Sequence, residues 1–243
     1  DLHGQHVRGS TNLEQYASYA YGFAGIDFMS WAVNDFHITK STWKGIQMTS
    51  EKFNSPGRFI VFPGYEWSGT TGRGGDHNVV YFKENEALYR SAYVEEDLRG
   101  YDPGMDRYTV DSLIASLKTE SVFLMPHIGG RRANLDFYDR KFMPIIEIYS
   151  AHGQFEWFLK DALIRGLKVG FAASSDDVFG KLGDSIPGSG LFAVRGGLTC
   201  IYAENLTRKG LWQAIQARRV YGTAGERMQL RFKSGNHWLG EEI

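Results

Sequence analysis

The sequence predicts an α/β fold, and within that class a barrel. Two observations point there. Apolar strand-like runs alternate with helix-like segments along the chain, the pattern of a mostly parallel sheet covered by helices. Several of those runs also end on a residue able to hold a metal: His3, Asp35, Glu66, His127, His152 and Asp176. An open doubly wound sheet satisfies the first observation as well as a barrel does. The second favours the barrel, whose strand C-terminal ends converge on one face, where active sites sit. A length of 243 residues, 42% of them hydrophobic and 23% charged, is common for such a fold. One domain over 1–243 is expected, trimmed at either end, since the chain begins with Asp and stops just after the strand-like MQLRFK.

Taken in order, NLEQYASYAYGFA (12–24) has helical spacing with Asn12 as its cap. IDFMSWAV (26–33) is an apolar strand, and a helix runs from near Ser41 to Asn54. RFIVFPGYEW (58–67) and HNVVYF (77–82) are strands, and TVDSLIASLKT (109–119) is a helix. SVFLMPH (121–127) and PIIEIYS (144–150) are strands. FEWFLKDALIRG (155–166) is a helix closed by Gly166. LKVGFAASS (167–175) and GLTCIYA (197–203) are strands, and RKGLWQAIQARRV (208–220) is a helix. The glycine-rich stretch 179–196 is a long loop of the kind that often forms a lid. Trp31, Trp67 and Trp157 are expected to pack in the core.

Bulk properties narrow the function. A formal net charge of −1 gives no global field to recruit nucleic acid or an anionic membrane. No apolar run is long enough to span a bilayer. The single cysteine, Cys200, rules out a disulfide framework or a Cys-rich zinc site and reads as a small core residue. No G-x-S-x-G nucleophile elbow occurs, and the glycine-rich 70–75 lacks both the P-loop lysine and the dinucleotide-binding spacing. A cytoplasmic location is expected, with a periplasmic one as the alternative.

The residues at strand ends carry the chemistry. His3, Glu66, His77, His127 and Asp176 supply imidazole and carboxylate, the donor set of Zn, Mn or Fe hydrolases. Gln5, two residues after His3 in an extended segment, points to the same side and adds a neutral oxygen. Two ions bridged by one carboxylate would activate water and clamp a substrate oxygen. His152 reads as a general acid or an added ligand, His37 as a residue lining the pocket mouth or else a surface one, His6 as a loop residue and His237 as surface. Gly129-Gly130-Arg131-Arg132, directly after His127, let backbone approach a ligand and offer bidentate contacts to a phosphate, or else form an exposed turn. Arg73 reaches toward substrate from its glycine-rich loop, and Arg227 anchors the C-terminal segment by an ion pair or reaches the substrate.

DLHGQ, a strand ending in Asn34-Asp35, PGYEWSG followed by GGDHNVVYF, MPHIGG, EIYSAHG and ASSDD together resemble the PHP superfamily, named for polymerase and histidinol phosphatase domains. With GGLTCIYAENLTR and RRVYGTAGER near the C-terminus, the chain is most similar to the branch catalogued as a domain of unknown function. The resemblance covers nearly the whole chain. It implies a distorted (β/α)7 TIM-like barrel of PHP type with a multinuclear metal site and phosphoester hydrolysis. His3 and Gln5 match the opening H-x-H, with Gln replacing the second His. Glu66 matches the bridging carboxylate, His77 and His127 match ligands of a second metal, and Asp176 matches the late aspartate of the first. Asp76, beside His77, is the alternative ligand there. Asp35 matches an aspartate that orients a ligand or makes a weak metal contact; as a plain loop residue it would cap the next helix. Thr11, Phe36 and Val178 stand where the superfamily places three further histidines, so two divalent ions (Zn, Mn or Fe) or fewer are expected.

The expectation is a metal-dependent hydrolase of a small anionic phosphoester. Arg131 and Arg132 stabilise developing charge, and His152 or water protonates the leaving group. Hydrolysis of another ester or an amide is the alternative within the enzyme class. Outside it, the alternative is a non-catalytic metal- or ligand-binding barrel, favoured by Gln5, Phe36 and Val178.

Overall fold

The computed structural model describes residues 12–92, 103–183 and 194–243. His3, Gln5, His6 and Thr11, and most of the 179–196 loop, lie outside the described residues.

Helix α1 (Leu13–Gly22) starts at Asn12, whose side chain accepts from the Gln15 amide while Gln15 reaches back to the Asn12 amide. This capping box satisfies two amides that the first turn cannot pair. Strand β1 (Phe28–Ser30) leads through a 3-10 turn at Asp35–His37 to helix α2 (Lys40–Phe53). The cap of α2 is Thr39, and the helix buries Trp43, Ile46 and Ser50, one stripe at helical spacing. Strand β2 (Ile60–Phe62) and strand β3 (Gly64–Ser68) are separated at Pro63, which has no amide to give a ladder. Strand β4 (Asp76–Tyr81), short helix α3 (Val110–Ile114) and strand β5 (Val122–Pro126) follow. Next come strand β6 (Ile145–Ser150), strand β7 (Gly153–Gln154), helix α4 (Glu156–Ile164) and strand β8 (Gly170–Ala173). Strand β9 (Leu198–Ile201), helix α5 (Arg208–Gln216) and strand β10 (Val220–Thr223) complete the body. The expected strand at MQLRFK is absent. That stretch is exposed and leads to a minimal hairpin of β11 (Lys233–Ser234) and β12 (His237–Trp238). None of the helices is long and apolar enough to cross a membrane, among the described residues.

The strands form several small sheets rather than one closed ladder among the described residues. β1 pairs with β2 in parallel, and β6 with β8 in parallel. In contrast, β3–β4–β5 and β9–β10 are antiparallel, so the expectation of a mostly parallel sheet holds for only part of the chain. The reason at β3–β4 is local: the connection 69–75 is a tight glycine-rich turn, too short for the crossover that parallel pairing needs.

The sheets are nevertheless joined in space. A parallel bridge from Asn34 to Glu66 continues the β1 side onto β3. β5 lies beside β6, and β8 beside β10. Alternate side chains split between two faces, as the period of two requires. Phe28, Ile60, Phe62, Val80, Phe123, Met125, Ile145, Ala172 and Val220 meet in one cluster with Leu211 and Ile215 of α5. Their neighbours Met29, Val61, Val79 and Leu124 face a second cluster, with Tyr16 of α1 and Trp43 and Ile46 of α2. Trp31 and Trp67 are fully buried, but Trp157 is half exposed, which corrects its expected core role. Cys200 is also only partly covered, because its strand lies at the end of the succession.

Candidate metal centre

Six strand ends supply the site. Asp35 follows β1, Glu66 lies on β3, and Asp76 and His77 open β4. His127 follows β5, His152 follows β6 and Asp176 follows β8. Because β4 runs against β3 and β5, its first residues lie level with their last: Ser68 pairs with Asp76, and His77 with Pro126. The antiparallel strand thus delivers His77 to the same end from its start.

His127, His152 and Asp176 converge, with one donor atom of each within 4.8 Å of the others. This is the one such group of His, Cys, Asp and Glu among the described residues. His127 is 1% exposed, and its Nδ1 lies 2.6 Å from Glu147 Oε1. A proton on that nitrogen, held by the carboxylate, leaves Nε2 with its lone pair toward Asp176. Nε2 stands 3.6 Å from Asp176 Oδ2, too far for a hydrogen bond. The separation suits two donors sharing one ion, with bonds of about 2.0–2.2 Å each. His152 Nε2 is 3.1 Å from the same Oδ2, and its side chain, 22% exposed, forms the open side of the group.

Backbone geometry holds these groups in place. Asp176 has φ +47°, a left-handed conformation uncommon outside glycine. The next residue fixes that turn: Asp177 Oδ2 accepts from the Phe179 and Lys181 amides, and its carbonyl accepts from Tyr16 Oη at 2.6 Å. Gly129 leaves room beside the donors. A Cβ there would sit 2.5 Å from His127 Nε2 and 2.9 Å from Asp76 Oδ2. Mixed imidazole and carboxylate donors, a fixed tautomer and a cradle kept clear by glycine fit a divalent ion such as Zn or Mn.

A second constellation adjoins the first. Arg131 donates from Nε to Asp76 Oδ1 at 2.6 Å, from its amide to Asp76 Oδ2 at 2.9 Å, and from Nη2 to Glu66 Oε1 at 2.8 Å. Glu66 Oε1 also accepts from Asn34 Nδ2 at 2.7 Å and Ser68 Oγ at 2.9 Å. Burial and the neighbouring Glu66 push Asp76 up to about 8 against the pull of Arg131. Burial holds His77 down at about 4; its Nδ1 lies 3.0 Å from the Gly75 carbonyl oxygen. Asp35 is raised to about 6 by burial, and its carboxylate accepts the Ser91 amide, tying the 3-10 turn to that loop.

The remaining expected residues lie elsewhere. Arg132 is exposed and stacks over Trp157 at 5.6 Å, apart from Arg131. Arg73 lies over Tyr108. Arg227 anchors the C-terminal segment as expected, but through the carbonyls of Ala24 and Gly25 rather than an ion pair. His237 is exposed beside Glu241. Glu147 was not foreseen. Its signal was a lone acid in the apolar run PIIEIYS, where an unpartnered carboxylate would be costly. A cavity of about 900 Å³ between β9 and residues 25–28 lies apart from the donor group; Phe28, Tyr202 and Arg227 are among its lining.

The family described as protein of unknown function (DUF3604) matches residues 11–105 and 173–243. The chain belongs to the DUF3604 family. The matched stretches of this DUF3604 chain include Asp35, Glu66, Asp76, His77 and Asp176, whereas His127, Arg131, Glu147 and His152 fall between them. An uncharacterized protein of Chlamydia pneumoniae is 26% identical over 269 residues, and one of Chlamydia muridarum 23% over 279. The chain is covered completely in both alignments but spans only 42% of either relative. Among solved structures, a two-domain protein of Bacteroides vulgatus, described as containing a predicted PHP-like metal-dependent phosphoesterase, superposes with a TM-score of 0.59 at 13% identity. The match covers 92% of this chain and 63% of that one, and shows likeness of fold.

Proposed function

We propose that this chain is a metal-dependent hydrolase, most simply of an anionic phosphoester. The observation that carries the reading is the convergence of His127, His152 and Asp176. The fold likeness to a protein described as PHP-like supports it, and so does the PHP resemblance of the sequence motifs. The shared cluster of inward side chains from seven strands supports reading the strand succession as a distorted (β/α)7 barrel of PHP type.

A divalent ion in this site supplies Lewis-acid polarisation of a substrate oxygen and lowers the pKa of water. The chain's own part is placement. Glu147 orients the His127 ring. The Asp177 contacts hold the Asp176 turn, and Gly129 keeps the approach clear. His152, on the open side, faces arriving substrate. His3 and Gln5 belong to this reading as further donors expected from the sequence. The substrate is a small molecule rather than nucleic acid or membrane, in keeping with the near-zero net charge.

A role in metal binding without turnover is the second reading. The observation that favours it is that Arg131, whose partner Asp76 borders the donor group, is engaged by two carboxylates.

Turnover of p-nitrophenyl phosphate and bis-p-nitrophenyl phosphate after Mn or Zn loading tests the proposal. Activity is expected to vanish with chelator and in Asp176→Asn and His127→Ala, with the far-UV circular dichroism unchanged. Metal binding with no turnover of any ester would select the second reading. Turnover indifferent to chelator and to both variants would refute the first.

A further inference from the structure

Resting on the metal reading above, we infer that the Arg131 guanidinium holds the place of a second cation, so that the centre takes one divalent ion beside a fixed organic one. Glu66 and Asp76 are buried carboxylates, 2% and 0% exposed, that are both bonded by one guanidinium. Buried carboxylates need a positive partner or a proton. Arg131 gives them three contacts of 2.6–2.9 Å, and its planar fork suits paired carboxylates better than a point charge would. With Asn34 and Ser68 on the same oxygen, Glu66 Oε1 already accepts three donors, and both oxygens of Asp76 are engaged by Arg131. An ion bound through these atoms would have to displace that network.

The arginine is also locked in place. Its carbonyl accepts from the Asp76 amide at 2.8 Å, Ala133 N–H bonds to the His127 carbonyl, and Asn134 N–H bonds to the Gly74 carbonyl. Gly75, with φ +75°, lies flat against the Arg132 carbonyl, where a Cβ would come within 1.9 Å. Phe36 covers the guanidinium at 5.5 Å, a favourable cation–π placement. The hypothetical Cβ at Gly129 touches both His127 Nε2 and Asp76 Oδ2, so the guanidinium-held carboxylate borders the donor group directly. Arg131 is therefore a positioning residue that carries permanent positive charge next to the ion site.

The test is metal stoichiometry, read by equilibrium dialysis of the purified chain against Mn or Zn with elemental analysis. Wild type is expected to hold one tight equivalent. Glu66→Gln should keep that equivalent within about threefold in affinity. Arg131→Met, which empties the space between the carboxylates, should gain a second and weaker equivalent. Two equivalents in wild type, with one lost in Glu66→Gln, would overturn the inference and leave the metal reading standing. No bound metal in wild type would overturn the metal reading itself. The wild-type and Glu66→Gln results decide the matter even if Arg131→Met does not fold.

Discussion

Glu147 and Gly129 constrain His127 from two sides, one by a hydrogen bond to Nδ1 and the other by leaving space at Nε2. Gly129→Ala should weaken Mn or Zn binding about 10–100-fold, the usual penalty for disturbing a ligand's supports, while thermal stability changes little. Calorimetric titration checks this; unchanged affinity would mean the ring has room to shift. His77 makes a pH prediction. Folded, it titrates near 4 because it is buried, whereas unfolded it titrates near 6.5. Between those values the unfolded chain binds a proton that the folded chain refuses. Its contribution is therefore complete above about pH 6.5 and is lost as the pH falls toward 4. In chelator, urea titrations of wild type and His77→Gln should converge by roughly 3 kcal/mol between pH 7 and 4. A constant gap would show that His77 takes up its proton in the fold as readily as in the unfolded chain. Most residues of this site could be named from strand-end position alone. The partner of each could not, because Arg131 and Asp76 lie 55 positions apart and nothing local in either motif encodes their meeting.

Helix starts were the most legible elements. Asn12 carries cap chemistry in its own side chain, and α1 begins there; α2 begins at Lys40 behind its cap Thr39, one residue ahead of the expected start near Ser41. Thr39→Ala should cost about 1 kcal/mol by removing the acceptor for the Thr42 amide, read as a lower urea midpoint at unchanged slope. Strand direction was not legible. HNVVYF reads the same as a parallel or an antiparallel strand, since both faces of β4 are buried and its alternation is hidden. The clue lay in the connection: 69–75 is too short for a crossover. Helix α3 is shorter than its sequence pattern, with Thr109 capping it and the 3-10-like tail ending in polar residues.

Across the whole molecule, contacts between distant segments tie helices to strands. Arg208 on α5 donates to the carbonyls of Val61 and Ser50 and to Glu84, linking α5 with β2, α2 and the segment after β4. Arg208→Met should cost about 3 kcal/mol, because it leaves Glu84 largely buried without its cation. Chemical denaturation measures this, and a loss below about 1 kcal/mol would place the pair among solvent-screened ones. The division of the strands into several small sheets was beyond sequence reasoning, since alternation fixes which face a side chain takes but not how far a sheet extends. One such long-range contact also sets an order of events. Tyr16 on α1 reaches the Asp177 carbonyl across 161 positions of chain. The turn that aims Asp176 therefore gains this support only when the first helix docks against the last third of the polypeptide. Such distant closures are slow steps of folding. On refolding, helical signal should return ahead of the capacity to capture metal, and on the ribosome the centre should stay unformed until the segment around Asp177 has emerged.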